Sequence, residues 1–242
     1  TRKSLKNDDL ITAANVENNP DKFIKEEIGQ INWQSIYNQN SGPTNTGFGP
    51  KPPINKTYSD LLYFSNNYLV QSNNNHRWYG LLSSFTYIIN NKFIWSGGID
   101  LRMYKAEHFM EITDLLGGDY AIDEEDIRND YDANPQLAVK HVGDKVYYYD
   151  DGFVNWAGLF TQIEYKLGKV SAFVNLTGSV SGFKKHDYFK NNVSDWKYKP
   201  GFTFKTGANY NLTEHSNVFI NLGYLSKTRD FRYYFQGYTA NF

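Results

Sequence analysis

The side chains best suited to recognise a ligand are aromatic, and they fall between the regular stretches of the chain. Tyr147, Tyr148 and Tyr149 form one group, Phe183, Tyr188 and Trp196 a second, and Tyr233 and Tyr234 a third; Trp156 stands where a regular stretch begins. Flat rings offer apolar area to sugars or peptides, and their faces attract cations. The same rings also serve to pack one loop against another, and the residue types alone leave both uses open.

Other chemistry is weakly represented. Residues 111–151 carry twelve acids, from Glu111 and Asp114 to Asp150 and Asp151, against three bases. Oxygen-rich loops hold calcium, but no glycine stands where a calcium-loop template needs its turn, so a solvated acidic loop is expected. The five histidines, His76, His108, His141, His186 and His215, include no pair at helical metal-site spacing. No nucleophile elbow, phosphate loop or dinucleotide fingerprint is present. The expectation is therefore no catalytic residues, no metal and no cofactor.

Composition narrows the class. Of 242 residues, 25 are Lys or Arg and 26 Asp or Glu, which gives no electrostatic case for nucleic acid as a partner. The absence of cysteine removes disulfide frameworks and thiolate chemistry. Twenty Tyr, 17 Phe and 5 Trp argue against disorder. No apolar run approaches the roughly 18 residues of a membrane helix, a test that says nothing about strands, whose apolar and polar residues alternate.

Such alternation begins near residue 78 and recurs in six stretches: 78–90, 93–104, 155–166, 170–181, 201–212 and 217–225. In the fourth, Val170, Ala172, Val174, Leu176 and Val180 oppose Ser171, Asn175, Thr177, Ser179 and Ser181; in the last, Val218, Ile220, Leu222 and Tyr224 oppose Asn217 and Asn221. Side chains on a strand point alternately to opposite faces, so each stretch reads as a strand with one apolar face. Each is about 9–13 residues long, longer than the usual strand of about 5–6 and matched to the roughly 9–11 that cross a bilayer at a tilt. Short turns at 90–92, 167–169 and 213–216 alternate with long connections at 105–153 and 182–200. Within the first, 137–142 and 145–150 flank Gly143-Asp144 like the arms of a projecting hairpin. Residues 1–77 read as a long loop region rich in Gly, Pro and Asn, with one short helix starting at Pro20 and presenting Ile24, Ile28 and Ile31; 78–227 hold the strands; 228–242 start a further loop or strand.

Four strings carry a likeness: Asn75-His76-Arg77-Trp78-Tyr79-Gly80; Ser96-Gly97-Gly98-Ile99-Asp100 with Asp114-Leu115-Leu116-Gly117-Gly118-Asp119; Gly152-Phe153-Val154-Asn155-Trp156-Ala157-Gly158; and 207–224. In order and spacing, over about residues 30–235, they resemble the barrel of TonB-dependent outer-membrane receptors of Bacteroidetes-type bacteria. The resemblance implies a 22-stranded barrel closed by a plug domain. It implies energised import of a scarce ligand, a siderophore, a glycan or similar, across the bacterial outer membrane. With about six strands and Thr1 as its first residue, the chain is expected to be an internal piece of such a barrel: an all-β, antiparallel transmembrane segment with long extracellular loops. Its partners would then be outer-membrane lipid, the plug and the rest of the barrel, the TonB complex, and a small-molecule or glycan ligand. The aromatic loop residues above become ligand contacts, and Asp100, Arg102, Glu164 and Lys205 face the lumen. A soluble carbohydrate-binding module and a porin-like passive barrel are the alternatives.

Overall fold

The structure, a computed structural model, describes residues 10–11, 13–18, 27–41 and 54–235. Two short helices, α1 (Ala13–Asn18) and α2 (Trp33–Asn40), precede the strands β1 (Leu69–Ile88), β2 (Phe93–Asp114), β3 (Ala121–Ile122), β4 (Val139–Lys140), β5 (Lys145–Leu167), β6 (Val170–Asp187), β7 (Asn192–Val193), β8 (Lys197–Asn211) and β9 (Asn217–Ser226), and α3 (Phe231–Phe235) follows. Most of helix 20–31, expected from the sequence, lies outside the described residues. Its last part is not helical: Ile28 sits in a turn and Ile31 bridges Leu10. The 42–53 loop and residues 236–242 also lie outside the described residues.

The fold is all-β and antiparallel. The large sheet has the order β1-β2-β5-β6-β8-β9, with β7 beside β6, and it is open: β1 and β9 are its edges. The register aligns the faces across strands. Val170 pairs with Tyr210 and that with Val218; Ala172 with Ala208 and Ile220; Val174 with Thr206 and Leu222; Leu176 with Phe204 and Tyr224. Residues directly opposite share a face, so these rows build one apolar surface. The intervening rows, Ser171–Asn209, Asn175–Lys205, Thr177–Thr203 and Ser179–Gly201, build a polar one. Most of the large apolar side chains stay exposed: Leu81, Leu159, Val218, Ile220 and Leu222 each keep more than half of their surface.

All six strands stand near their expected places, but the first five run further, β8 starting at Lys197 rather than 201. β1 starts nine residues earlier than the alternation does, at Leu69, and β2, β5 and β6 extend to Asp114, back to Lys145, and to Asp187. The two-residue period breaks down in these extensions, as in Asn73-Asn74-Asn75 and Tyr147-Tyr148-Tyr149, so periodicity does not announce them. Cross-strand bonds hold them instead: Asn75 Nδ2 donates to Glu107, the Tyr104 hydroxyl bonds His76 Nδ1, and His108 Nδ1 bonds Asn74. The connection expected at 105–153 accordingly shrinks to 115–144, and the one at 182–200 to 188–196.

The expected hairpin about Gly143-Asp144 is not formed as such. Its turn exists, with Asp144 N–H donating to His141 O, but Leu137 and Ala138 belong to a 3₁₀ turn, and Val139–Lys140 pair with Ala121–Ile122. Pro135 suits the first position of that turn, which takes Leu137 and Ala138 out of the expected arm.

The short turns are set by local chemistry. Asn90 Oδ1 accepts from the amides of Lys92 and Phe93 at 2.9 and 3.0 Å. Gly168 takes φ +55°, where a side chain is strained. Gly98 is required for a different reason: a Cβ there would collide with Ser83 O and lie 2.9 Å from Ser84 Cα, both backbone atoms that cannot yield.

By contacts the chain divides into two units. One comprises Thr1–Asn74, His108–Asp150 and Asp187–Asn192; the other comprises Asn75–Glu107, Asp151–His186 and Val193–Phe242. The first has a small core of Ile112, Leu115, Ala121 and Val146, with Tyr68, Val70, Met110 and Tyr147 against it. Asn40 is fully buried there. Its Nδ2 donates to the carbonyls of Asn67, Leu115 and Leu116, and its Oδ1 accepts from the amide of Asn66.

Two substitutions test this construction. Gly98→Ala should lower stability by about 1–3 kcal/mol through overpacking. Gly178→Ala, where no atom lies within 4 Å of the added methyl, should be neutral or slightly stabilising. Urea midpoints followed by tryptophan fluorescence in detergent would separate them; equal midpoints would show the backbone approach at Gly98 to be unimportant. Asn40→Ala should cost about 1–3 kcal/mol or more, because three carbonyls and one amide lose their partner together.

Candidate functional site

In the first unit the aromatic groups are built into the loop scaffold. Tyr147 has φ +66°, a conformation that costs a non-glycine residue energy. Its ring stacks on Tyr68 at 6.3 Å and 7°, their hydroxyls meet at 2.7 Å, and its amide donates to Asp123 Oδ2 at 3.1 Å. The Tyr148 hydroxyl bonds the Ser72 hydroxyl at 2.6 Å. Tyr149 lies at 4.0 Å in a stack with Tyr188, edge-on to Phe109 and Phe189. Lys145 Nζ stands 3.4 Å from the Tyr149 ring centre and 4.3 Å from that of Phe109. The sequence reading missed Lys145, because a lone lysine beside three tyrosines carries no pattern until two strands bring the Phe109 and Tyr149 rings against it.

The acids of 111–151 mostly hold the backbone. Asp114 accepts from the Leu116 amide, Asp119 from Tyr63, Asp123 from Tyr147 and Glu125, Asp130 from Ala133, and Asp144 from His141. Asp126 makes a two-point ion pair with Arg128 at 2.6 and 2.7 Å. Among the described residues, no group of three or more His, Asp or Glu is placed to hold a metal ion. The expected solvated loop is thus a framework of side chain-to-backbone turns, with Asp123 and Asp126 buried. Burial pushes the Asp123 carboxyl up from its ordinary value, whereas the Arg128 guanidinium holds that of Asp126 down. The Tyr58 hydroxyl, donating to Glu124 at 2.7 Å, is pushed up to about 12 by that carboxylate.

In the second unit, Lys205, one of the four polar residues expected to face a lumen, lies in a polar row of the registered strands. Asp100 and Arg102 pair two-point at 2.7 and 2.8 Å, and Arg102 lies over the Trp78 ring at 5.7 Å. Glu164 accepts from Gln162, whose Oε1 accepts from Asn175. Lys205 stands in register between Asn175 and Gly223. Trp156 packs over Gly158, and its buried Nε1 has no hydrogen-bond partner among the described residues. Lys105 pairs with the buried Asp151 at 2.7 Å.

The structure gathers several of the remaining aromatics at one place. Phe183, on the polar face opposite Lys197, stacks on Tyr234 at 5.2 Å and meets Phe231 edge-on at 6.5 Å. Helix α3 thereby rests on polar-face positions, with Phe231 against Gly152. Lys197 lies 5.2 Å from the Phe235 ring, Lys199 6.0 Å from Tyr234, and Arg229 4.1 Å from Tyr233. Trp196 stacks on Tyr198 at 6.0 Å over Gly182. Of the nine aromatic residues singled out from sequence, only Phe183, Tyr233 and Tyr234 meet here; Tyr149 and Tyr188 meet in the other unit. Lys197 and Lys199 escaped sequence reading, because the alternation starts only at 201 and leaves 182–200 as a connection; the extension of β8 back to Lys197 puts both on one face.

No family model matches the sequence, and no match was found among curated proteins or among solved structures.

The two buried acids give opposite pH dependence. Asp123, raised in the fold, contributes stability that is fully present below its ordinary value of 3.8 and is lost as pH rises through the raised value. Asp126, depressed in the fold, contributes stability present above 3.8 and lost as pH falls below it. Hydrogen exchange at the Ile112 and Val146 amides should therefore show Asp123→Asn removing slope on the high side of about pH 4 and Asp126→Asn removing slope on the low side. An unchanged profile in either variant would assign the dependence elsewhere.

Proposed function

We propose that the chain is part of the barrel of a TonB-dependent receptor that imports a scarce ligand across the bacterial outer membrane. The supporting observation is the register of the sheet, which lines up apolar side chains on one face across β6, β8 and β9 and leaves them exposed. Water is a poor solvent for so continuous an apolar face, and lipid is a good one. Among the described residues no helix is long and apolar enough to cross a membrane, so spanning would fall to the strands.

Three further features support the reading. Tyr79 and Tyr87 on β1, and Phe202 and Tyr210 on β8, lie on the apolar face nine residues apart counted inclusively. That is the length of a tilted strand crossing a bilayer, about 9–11 residues, with rings placed at both interfaces. The connections are short at one end of the strands, at 89–92, 168–169 and 212–216, and long at the other. The two open edges would be closed by neighbouring strands of the rest of the barrel. The plug and the TonB complex would supply the coupling, and ligand contacts would fall on the long-loop end.

Antibodies raised against 115–144 should detect the protein in the detergent-extractable outer-membrane fraction of cells that make it, and should label intact cells. Recovery in the soluble fraction would sink the proposal and favour a soluble binding module. The face assignment has its own test. Ile220→Lys, on the apolar face, should cost about 2–4 kcal/mol of stability in lipid vesicles, whereas Thr177→Lys on the polar face should cost much less. Equal costs would remove the support of the register.

A further inference from the structure

We propose that the polar face at the long-loop end of β6 and β8 holds a subsite for an anionic saccharide, formed by Phe183, Lys197, Lys199, Arg229, Tyr233 and Tyr234. The proposal rests on the receptor reading above and names its ligand class. Charge carries the argument. The registered polar-face positions of β6, β8 and β9 hold three lysines, Lys197, Lys199 and Lys205, and neither Asp nor Glu. Lys197, Lys199 and Arg229 are in no ion pair among the described residues; aromatic rings hold them instead, at 5.2, 6.0 and 4.1 Å. A ring orients a cation without neutralising it, so three positive charges remain available to an anion on one small area.

The rings supply the second half of the recognition. Phe183 and Tyr234 are stacked, Tyr233 stands at 88° to Tyr234, and Tyr233 keeps 58% of its surface exposed. Ring faces and edges within reach of fixed cations suit a sugar bearing a charged substituent: the apolar face of the pyranose takes the ring, and the carboxylate or sulfate takes the lysines and arginine. A neutral sugar would use the rings and leave the charges unpaired.

The test is calorimetric titration of the purified full chain in detergent with three hexasaccharide probes: oligogalacturonate, a sulfated oligosaccharide and neutral maltohexaose. At low salt both anionic probes, or one of them, should bind at least about tenfold more tightly than maltohexaose, and raising salt to about 0.2 M should weaken them several-fold. Preference between the two anions identifies the substituent as carboxylate or sulfate. Lys197→Gln/Lys199→Gln/Arg229→Gln should weaken anionic binding about tenfold or more, and Lys197→Arg/Lys199→Arg, which keeps charge and fold, should retain it. Equal binding of neutral and charged probes, no binding of any probe, or an unchanged affinity in the triple variant would overturn the subsite. The receptor reading fails separately, by cell fractionation: anionic binding by a protein found in the soluble fraction would sink transport and leave the subsite standing.

Discussion

Everything on this sheet depends on pairing register. Side chains alternate with a period of two, so a slip of one residue between β6 and β8 would carry Val170, Val174 and Leu176 to the face of Lys205 and Asn209. The observed pairing keeps Val170 opposite Tyr210 and Asn175 opposite Lys205, and β9 continues both rows. One surface thereby becomes mainly apolar and the other mainly polar, with Phe173, Phe219 and Leu225 interrupting the polar rows. The hydrogen-bonded ladder does not care which register it adopts; the environments on the two sides do.

The two faces divide the work of the molecule. The apolar face carries the rings of Phe85 and Trp95 in edge contact at 4.8 Å, and those of Phe93 and Tyr165 at 5.0 Å, near the short turns. The polar face carries the ion pair of Asp100 with Arg102, the Gln162–Asn175 bond and the lysines. Helix α3 rests on that polar side through Phe231 and Tyr234. Rings and cations are thus gathered where polar strand positions meet long connections, while the opposite surface carries exposed apolar side chains.

The first unit solves a different problem. Its core is small, so much of its definition comes from polar groups that replace secondary structure. Asn40 closes four backbone groups, and the acids of 111–151 accept amides at turn after turn. Burying Asp123 is costly and shows in its raised carboxyl, yet its oxygens fix the amide of Tyr147 and so the unusual backbone there. A loop of this length stays defined because nearly every turn is anchored by a side chain one to four residues away.

Alternation in the sequence by itself determined the six long strands, their order of short turns and long connections, and which face of each is apolar, because side-chain direction on a strand follows from residue number alone. It also placed Lys205 with Asn175 on the polar side of β6 and β8. It did not reveal the extensions of β1, β2, β5, β6 and β8, where the two-residue period breaks down, as in Asn73-Asn74-Asn75 or Tyr147-Tyr148-Tyr149, and where buried Ile112 and Val146 and cross-strand bonds such as Asn75 to Glu107 hold the strands. Nor did it reveal that 139–140 pair with 121–122, because two-residue ladders leave no period. Only the tertiary structure decided which aromatics meet: Tyr149 with Tyr188 and Lys145, Phe183 with Tyr234 beside Lys197 and Lys199. The Tyr149–Tyr188 and Phe183–Tyr234 pairs join residues 39 and 51 positions apart. The contacts depend on pairing register and loop path, which local sequence does not encode.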